Sequence, residues 1–292
     1  MNQDQRCRFL FDHHPARGLH VRLNVVWQHI LQRKNYPPAV RRALGELLAA
    51  AALLAEDLKS DSTLTIQVQG TGALKMLVAE AACGQTCRAT ARWDEHADIA
   101  RDARLSDLLG KDGICAITVQ PRQGEAWQGI VPLDGDNIAQ MLSAYMRHSQ
   151  QIDTHIVLTA DEHRANGFLL QRLPAGSEDA WAEVLAPAQT LSRQELHDLN
   201  TEALLYRLFH QTPPRLFPAE ELEFACTCSR SKVADMLLLL GCKEVGDAIG
   251  TEGSIGVDCD FCGERYTFDQ ADADALFGTD VLAAAQAMRN MV

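Results

Sequence analysis

Phe224-Ala225-Cys226-Thr227-Cys228-Ser229-Arg230 and Val257-Asp258-Cys259-Asp260-Phe261-Cys262 decide how this chain is read. A CxC pair and a CxxC pair are separated by residues 229 to 258, and each pair presents two thiols from one turn. Two such pairs are what a tetrahedral four-cysteine zinc site requires. A closed site of that kind has no open position for a substrate, so zinc-hydrolase chemistry is not expected. The CxC spacing is tighter than the commoner CxxC, and the same thiols are able to close into two short-loop disulfides. Cys226, Cys228, Cys259 and Cys262 are therefore candidate zinc ligands and a candidate oxidation sensor. A structural zinc site with no redox role is the competing reading.

Size favours a switch. Residues 223–292 form a segment in which a core alone supplies only ~3–5 kcal/mol, whereas structural zinc contributes ~10–16 kcal/mol in small zinc-binding peptides. Metal loss is expected to unfold the segment, and oxidation is expected to cause metal loss because disulfide sulfurs no longer ligate as thiolates.

Working outward, the whole chain of 292 residues, 47% hydrophobic and 23% charged, reads as an ordinary soluble globular protein. Its formal charge of -12 argues against a nucleic-acid partner, since phosphate neutralisation wants a basic face. Met1 to Phe11 carries Asp4, Arg6 and Arg8 and lacks the apolar core of a signal peptide. The longest apolar run, Leu47 to Ala55, is too short to cross a bilayer, so no membrane association is expected. Cytoplasmic localisation follows, and there cysteines are metal-bound or free more often than bridged.

Residues 1–174 alternate strand-like and helical stretches, which gives an α+β core domain. Leu64 to Gln69 alternates with period two and ends at Gly70, and Ile114 to Gln120 and Thr154 to Leu158 look alike. Val40 to Leu58 reads as a core helix, and Asn137 to Gln150 as a second helix. Ala175-Gly176-Ser177-Glu178-Asp179 and Gln211-Thr212-Pro213-Pro214 mark boundaries. Between them Ser192 and Glu195 form a capping box, Leu191 and Leu196 a hydrophobic staple, and Leu196, Leu199, Ala203 and Tyr206 an apolar stripe. Residues 175–222 thus read as a metastable helical linker and 223–292 as a small zinc-binding domain. In that domain Ser229 to Leu240 is an expected helix stopped by Gly241, whose Leu237 to Leu240 run calls for cover on more than one side.

Other candidates are weaker. Cys242 reads as a packed thiol, and Cys7 and Cys115 as isolated structural thiols. Cys83 and Cys87 with His96 suggest a second metal site, but no fourth ligand is evident. Gly70-Thr71-Gly72 lacks the third glycine of a dinucleotide site. Gly110-Lys111-Asp112 lacks the pattern of a phosphate loop, so nothing predicts ATP use. His13-His14-Pro15 reads as a loop, and no catalytic Ser/His/Asp set stands out, so no enzyme activity is expected.

The two cysteine stretches, with Tyr266-Thr267-Phe268-Asp269, resemble the signature of the thirty-three-kilodalton heat-shock proteins, bacterial redox-regulated holdase chaperones. Tyr206 to His210 resembles the family linker, and Gln128 to Leu133 and Gly167 to Pro174 its N-terminal domain. Asn166-Gly167 replaces a usual Gly pair, and Gly263 stands where Asn is common. The resemblance implies that reduced protein holds zinc through Cys226, Cys228, Cys259 and Cys262, is inactive, and is monomeric. Oxidation then forms the Cys226–Cys228 and Cys259–Cys262 disulfides, zinc leaves, linker and C-terminal segment unfold, and the protein dimerises and binds unfolding clients without ATP. A thiol–disulfide oxidoreductase using Cys259 and Cys262 and a static zinc-binding interaction module are the alternatives. Val257 and Tyr266 to Phe268 flank the CxxC as in a hairpin rather than at the helix start of the oxidoreductase class.

Overall fold

In a computed structural model describing residues 4–58, 61–82, 85–131, 133, 135–174 and 176–278, β1 (Gln5–Leu10) and β2 (Ala16–Leu23) lead into α1 (Val25–Leu31) and α2 (Pro38–Leu54). Then come β3 (Ser62–Gln69), β4 (Leu74–Ala82), β5 (Thr86–Trp93), α3 (Leu105–Leu109), β6 (Ile114–Pro121), β7 (Trp127–Val131), α4 (Ile138–His148), β8 (Thr154–Ala160) and β9 (Ala165–Arg172). Three helices follow, α5 (Glu178–Gln189), α6 (Arg193–Asp198) and α7 (Thr201–Phe209), and three two-residue strands, β10 (Arg215–Leu216), β11 (Glu220–Glu221) and β12 (Glu223–Phe224). The remainder holds α8 (Arg230–Leu240), α9 (Cys242–Glu252), β13 (Ser254–Asp258), β14 (Arg265–Asp269) and α10 (Gln270–Phe277). The architecture is α+β, in two units that divide between Ala225 and Cys226. No described helix is long and apolar enough to cross a membrane.

The first unit is built around α2. One sheet runs β10-β1-β2-β9-β8 with β11 also on β1, the other β12-β5-β4-β3-β6-β7, and α2 packs against strands of both. Thirteen of its residues are buried, which its Ala49 to Ala52 run permits because small side chains let both sheets approach closely. The lone Gly-Thr-Gly serves packing. The Thr71 and Gly72 amides donate to the Leu109 carbonyl, and a Cβ on Gly72 would lie 2.5 Å from the Leu108 oxygen.

Period-two alternation gives the first sheet two distinct faces. Leu19, Val21 and Leu23 of β2, Leu169 of β9, and Ile156 and Leu158 of β8 join the core around α2. The opposite face presents Phe9, Phe11, Ala16, Phe168 and Leu170, and these pack with Trp181, Val184, Ala188, Leu191, Leu196, Leu204, Leu205, Leu208 and Phe209 from α5 to α7 and the turn between. Phe9 stacks on Phe168 at 5.8 Å and Phe11 meets Phe209 edge-on at 5.0 Å. Gly18 is needed opposite Phe9, whose ring lies 2.0 Å from where a Cβ would stand. An antiparallel sheet commonly leaves one face to water; here both are apolar, and helices cover the second.

The expected strands all form, each within a residue or two of its anticipated ends. The capping box at Ser192 and Glu195 is present, with Leu191 and Leu196 buried. The expected stripe through Leu196, Leu199, Ala203 and Tyr206 does not hold. Leu199 leaves the helix with extended backbone, and the Asn200 side chain caps a new helix by accepting from the Ala203 amide. The break resets the helical phase, so Thr201, Leu204, Leu205, Leu208 and Phe209 turn inward while Tyr206 stays 75% exposed.

The second unit has a small core of Leu237, Val245, Ile249, Phe268 and Ala273. Among the described residues, cover for the leucine run on several sides is also not found: Leu237 alone of the run is buried, and Leu239 is 89% exposed. Within this unit α8 touches α9 and α10, and of its residues Leu237 is buried while Val233 and Ala234 are half-buried against the same small core.

Candidate metal centre

Two turns place the four sulfurs. Cys226 and Cys228 lie in the extended segment before α8, whose start Ser229 fixes by accepting from the Lys232 amide. Lys232 Nζ reaches back to the Thr227 carbonyl at 2.7 Å and ties down the residue between the two thiols. Cys259 and Cys262 lie in the turn joining β13 and β14. The Cys259 amide donates to the Glu264 carbonyl at 2.9 Å and the Gly263 amide to the Cys259 carbonyl at 2.8 Å. Gly263 takes a φ of 73°, which glycine adopts without the Cβ penalty.

The two turns bring all four sulfurs within 4.8 Å of one another. Cys226 Sγ is 3.7 Å from Cys259 Sγ, and Cys228 Sγ is 3.4 Å from Cys262 Sγ. A disulfide would need about 2.05 Å. A tetrahedron with metal–sulfur distances of about 2.3 Å has edges of about 3.8 Å, which these separations approach. The thiols are half-buried.

The electrostatics fit a cation. Burial pushes the Cys226 thiol up, but hydrogen bonds from the Cys228 amide and the neighbouring thiols outweigh it and bring it down to about 7. Burial pushes Cys262 up to about 12, and the sulfurs of Cys228, Cys226 and Cys259 add to the rise. Crowded acidic groups hand one proton deficit to one sulfur and deny it to another. A divalent cation among them would relieve that conflict and deprotonate all four. An all-sulfur set suits zinc, and the four residues are placed to hold such an ion.

Of the remaining cysteines, Cys242 packs against the small core of the second unit. Cys7 and Cys115 are buried. Cys87 is 2% exposed within the main core, where burial raises its thiol to about 12, while His96 is exposed; Cys83 lies outside the described residues. No second metal-ligand cluster appears among the described residues.

Sequence reasoning missed two features. Tyr266 Oη donates to Cys228 Sγ at 3.2 Å; the tyrosine was legible only as part of a signature, with no role attached. The second feature is a polar seam beneath α6 and α7. His20 is fully buried with Nδ1 2.9 Å from Thr201 Oγ1, which also lies 3.5 Å from Cys7 Sγ. Asn166 Nδ2 donates to the Leu196 carbonyl at 3.2 Å, and Arg193 of α6 pairs with buried Glu46 of α2. These partners lie 30 or more residues apart in sequence and no local pattern announces them.

The chain matches the family described as Hsp33 protein over residues 4–269. It is 58% identical over 287 residues to a 33 kDa chaperonin of Neisseria meningitidis serogroup A, covering 98% of this chain and 95% of that one. A 33 kDa chaperonin of Chromobacterium violaceum is 45% identical over 293 residues, covering 99% of both. The crystal structure of a 33 kDa chaperonin from Thermotoga maritima superposes with a TM-score of 0.81 at 23% identity, over 94% of this chain and 98% of that one, which places the fold. On motif, architecture and similarity along nearly its whole length, the chain belongs to the Hsp33 protein family.

Proposed function

We propose that this protein is a redox-regulated, ATP-independent holdase chaperone of the cytoplasm, with Cys226, Cys228, Cys259 and Cys262 as zinc ligands when reduced. The observation that carries the reading is the convergence of those four sulfurs from two distant turns. Bound zinc would keep the sulfurs as thiolates and cross-link the two turns. Peroxide is attacked by one thiolate, the O–O bond breaks, and a sulfenic acid forms as hydroxide leaves. The adjacent thiolate displaces the second hydroxide, so two thiolates, one peroxide and two protons give one disulfide and two waters. The pairs are Cys226–Cys228 and Cys259–Cys262, each within one turn.

Losing the cross-link removes ~10–16 kcal/mol of metal-coupled folding, which matches or exceeds the ~5–15 kcal/mol net stability of a whole domain. The second unit then unfolds, and the linker, residues 175–222, follows. Departure of α5 to α7 bares Phe9, Phe11, Phe168 and Leu170 on a sheet face with no other apolar cover among the described residues. A flat aromatic surface of that kind suits clients exposing their own apolar segments, and a second oxidised copy, giving a homodimer where the reduced protein is a monomer. The net charge of -12 favours neither nucleic acid nor an acidic membrane surface. A thiol–disulfide oxidoreductase is disfavoured because Cys259 and Cys262 sit in a hairpin turn and not at a helix N-terminus.

Light scattering of a chemically unfolded client, diluted into zinc-loaded reduced or peroxide-oxidised protein, tests this. Suppression by the oxidised form alone is expected. Equal suppression by both would make the zinc structural, and none by either would end the chaperone reading.

A further inference from the structure

We propose that the Tyr266 hydroxyl is a positioning group for Cys228 that sets how readily the four-cysteine site surrenders its metal to oxidant. The inference rests on the oxidation switch proposed above and names a regulator of that site.

The four sulfurs are not held alike. Cys226 accepts from the Cys228 amide, Cys259 from the Cys262 and Phe261 amides, and Cys262 from the Glu264 amide. Those donors belong to the backbone of the turns, and only a proline would remove one. Cys228 accepts instead from a side chain, the Tyr266 hydroxyl at 3.2 Å.

That hydroxyl is well anchored. Tyr266 faces Val257 across the β13–β14 hairpin and shares a side of β14 with Phe268, two residues on. Phe268 is 2% exposed in the small core, and the Tyr266 ring packs against that core. Arg230, two residues after Cys228, fastens the same strand. Its guanidinium lies 4.3 Å over the Phe268 ring, donates to the Thr267 carbonyl at 2.8 Å, and pairs with Asp272 at 2.7 Å. Thiol and phenol are thus fixed from both sides, and the ring cannot swing away without leaving the core.

A hydrogen bond to a metal-bound thiolate draws charge from the sulfur. It stabilises the ligand as an anion and lowers its nucleophilicity toward the peroxide oxygen. Outer-shell partners of this kind typically change metal affinity about 10–100-fold. For the Cys226–Cys228 disulfide to form, Cys228 must give up the phenol as its sulfur becomes covalently bonded. Tyr266 therefore slows both the first attack on peroxide by Cys228 and its closure onto a Cys226 sulfenic acid, in which that thiolate expels hydroxide.

Zinc-loaded Tyr266→Phe in the full chain is the test, with Phe268→Leu as a control that disturbs the same cluster but keeps the hydroxyl. Zinc affinity is measured without oxidant by competition with a chromophoric chelator. Zinc release under peroxide is followed by the same dye, and oxidation of each cysteine by mass spectrometry, with circular dichroism checking the fold. Tyr266→Phe is expected to bind zinc about tenfold more weakly and release it several-fold faster, with the gain in oxidation concentrated at Cys228. Phe268→Leu is expected to show no such concentration. Unchanged affinity and release in Tyr266→Phe, or equal acceleration at all four cysteines in both variants, overturns the proposal. Should Tyr266→Phe lose its fold, Tyr266→Trp, whose indole N–H is also a donor, replaces it, and rescue of slow Cys228 oxidation is then required. The zinc affinity does not depend on chaperone activity. A wild type that fails to protect clients would sink the switch and leave the affinity result standing, whereas normal activation with an indifferent Tyr266→Phe would sink Tyr266 alone.

Discussion

Lowering the pH from about 7.5 to about 5.5 should loosen the docking of α7 about tenfold through His20. The imidazole is fully enclosed, and burial, with Arg22 adding repulsion, lowers its pKa from 6.5 to about 3. Cys7 and Thr201 face it from β1 and α7, Arg22 lies on its own strand, Phe168 is its neighbour on β9, and Glu202 lies beside Arg22. The docked state rejects a proton that the opened state accepts. Docking is therefore at full strength above pH 6.5 and weakens as pH falls through 6.5 toward 3. Between the two chosen values the opened state gains (1 + 10)/(1 + 0.1), about tenfold or about 1.4 kcal/mol. Amide hydrogen exchange of residues 201–209, corrected for the intrinsic rate, reads that opening directly. His20→Asn keeps a polar atom near the Nδ1 position but does not titrate, and any acid effect at the cysteines is common to both proteins. The wild type should open about ten times more on acidification than the variant. Equal responses would refute the reasoning and mean that α7 opens without hydrating His20.

Four further outcomes are expected. Phe209→Ala, which removes a 1%-exposed ring packed on Phe9 and Phe11, should cost the linker about 3–5 kcal/mol, seen as proteolysis of residues 178–210 in reduced protein and partial client protection without oxidant. Arg193→Ala leaves the Glu46 carboxylate buried and unpaired and should destabilise by about 3 kcal/mol in urea titration at neutral pH; adding Glu46→Gln should recover most of it. Asn166→Ala removes the donor to the last carbonyls of α6 and should raise hydrogen exchange in residues 193–199 by a factor corresponding to about 1 kcal/mol. Cys262→Ser should abolish stoichiometric zinc binding and collapse the NMR dispersion of residues 226–278 while leaving that of residues 62–131 in place.

The cysteine pairs were legible because metal chemistry imposes spacing within each turn, and the core helix because nine apolar residues from Leu47 to Ala55 leave no polar face. Strand periodicity at Leu64 to Gln69 carried through for the same local reason. What the sequence could not convey depends on contacts across the chain. Nothing near Leu199 says that Asn200 will restart the helix and rotate its apolar stripe away from Tyr206. The leucine run of α8 looks like core by composition, yet its burial is decided by what stands opposite, and among the described residues of its own unit only Leu237 of the run is enclosed. Tyr266 and Cys228 stand 38 positions apart in sequence and meet only after the hairpin folds back on α8.

The joint between α5 to α7 and the first sheet combines two opposed tendencies, which fits the release proposed above. Its apolar part is strong: the aromatic pairs Phe9 with Phe209 and Phe11 with Phe209 each add about 0.5–1.5 kcal/mol beyond their burial. Its polar part is poor. Among the described residues, four of the seven buried side-chain atoms without a protein hydrogen-bond partner sit on this one face of the first sheet, His20 Nε2, Arg22 Nε, His155 Nε2 and Asn166 Oδ1, and a fifth, Arg164 Nε, lies in the turn entering β9. A bond left unmade in the docked state costs about 1–3 kcal/mol and is recovered when the group meets water. Opening therefore loses the aromatic contacts but regains polar solvation, and the balance is smaller than the apolar area alone would give. On the function proposed above, a sheet face with purely apolar neighbours would hold α5 to α7 too tightly to release them, and one without Phe9, Phe11 and Phe168 would offer little apolar surface once bared. Under that proposal the same apolar residues serve as core in one state and as binding surface in the other, and the unpaired polar atoms beside them bring the two states closer in free energy.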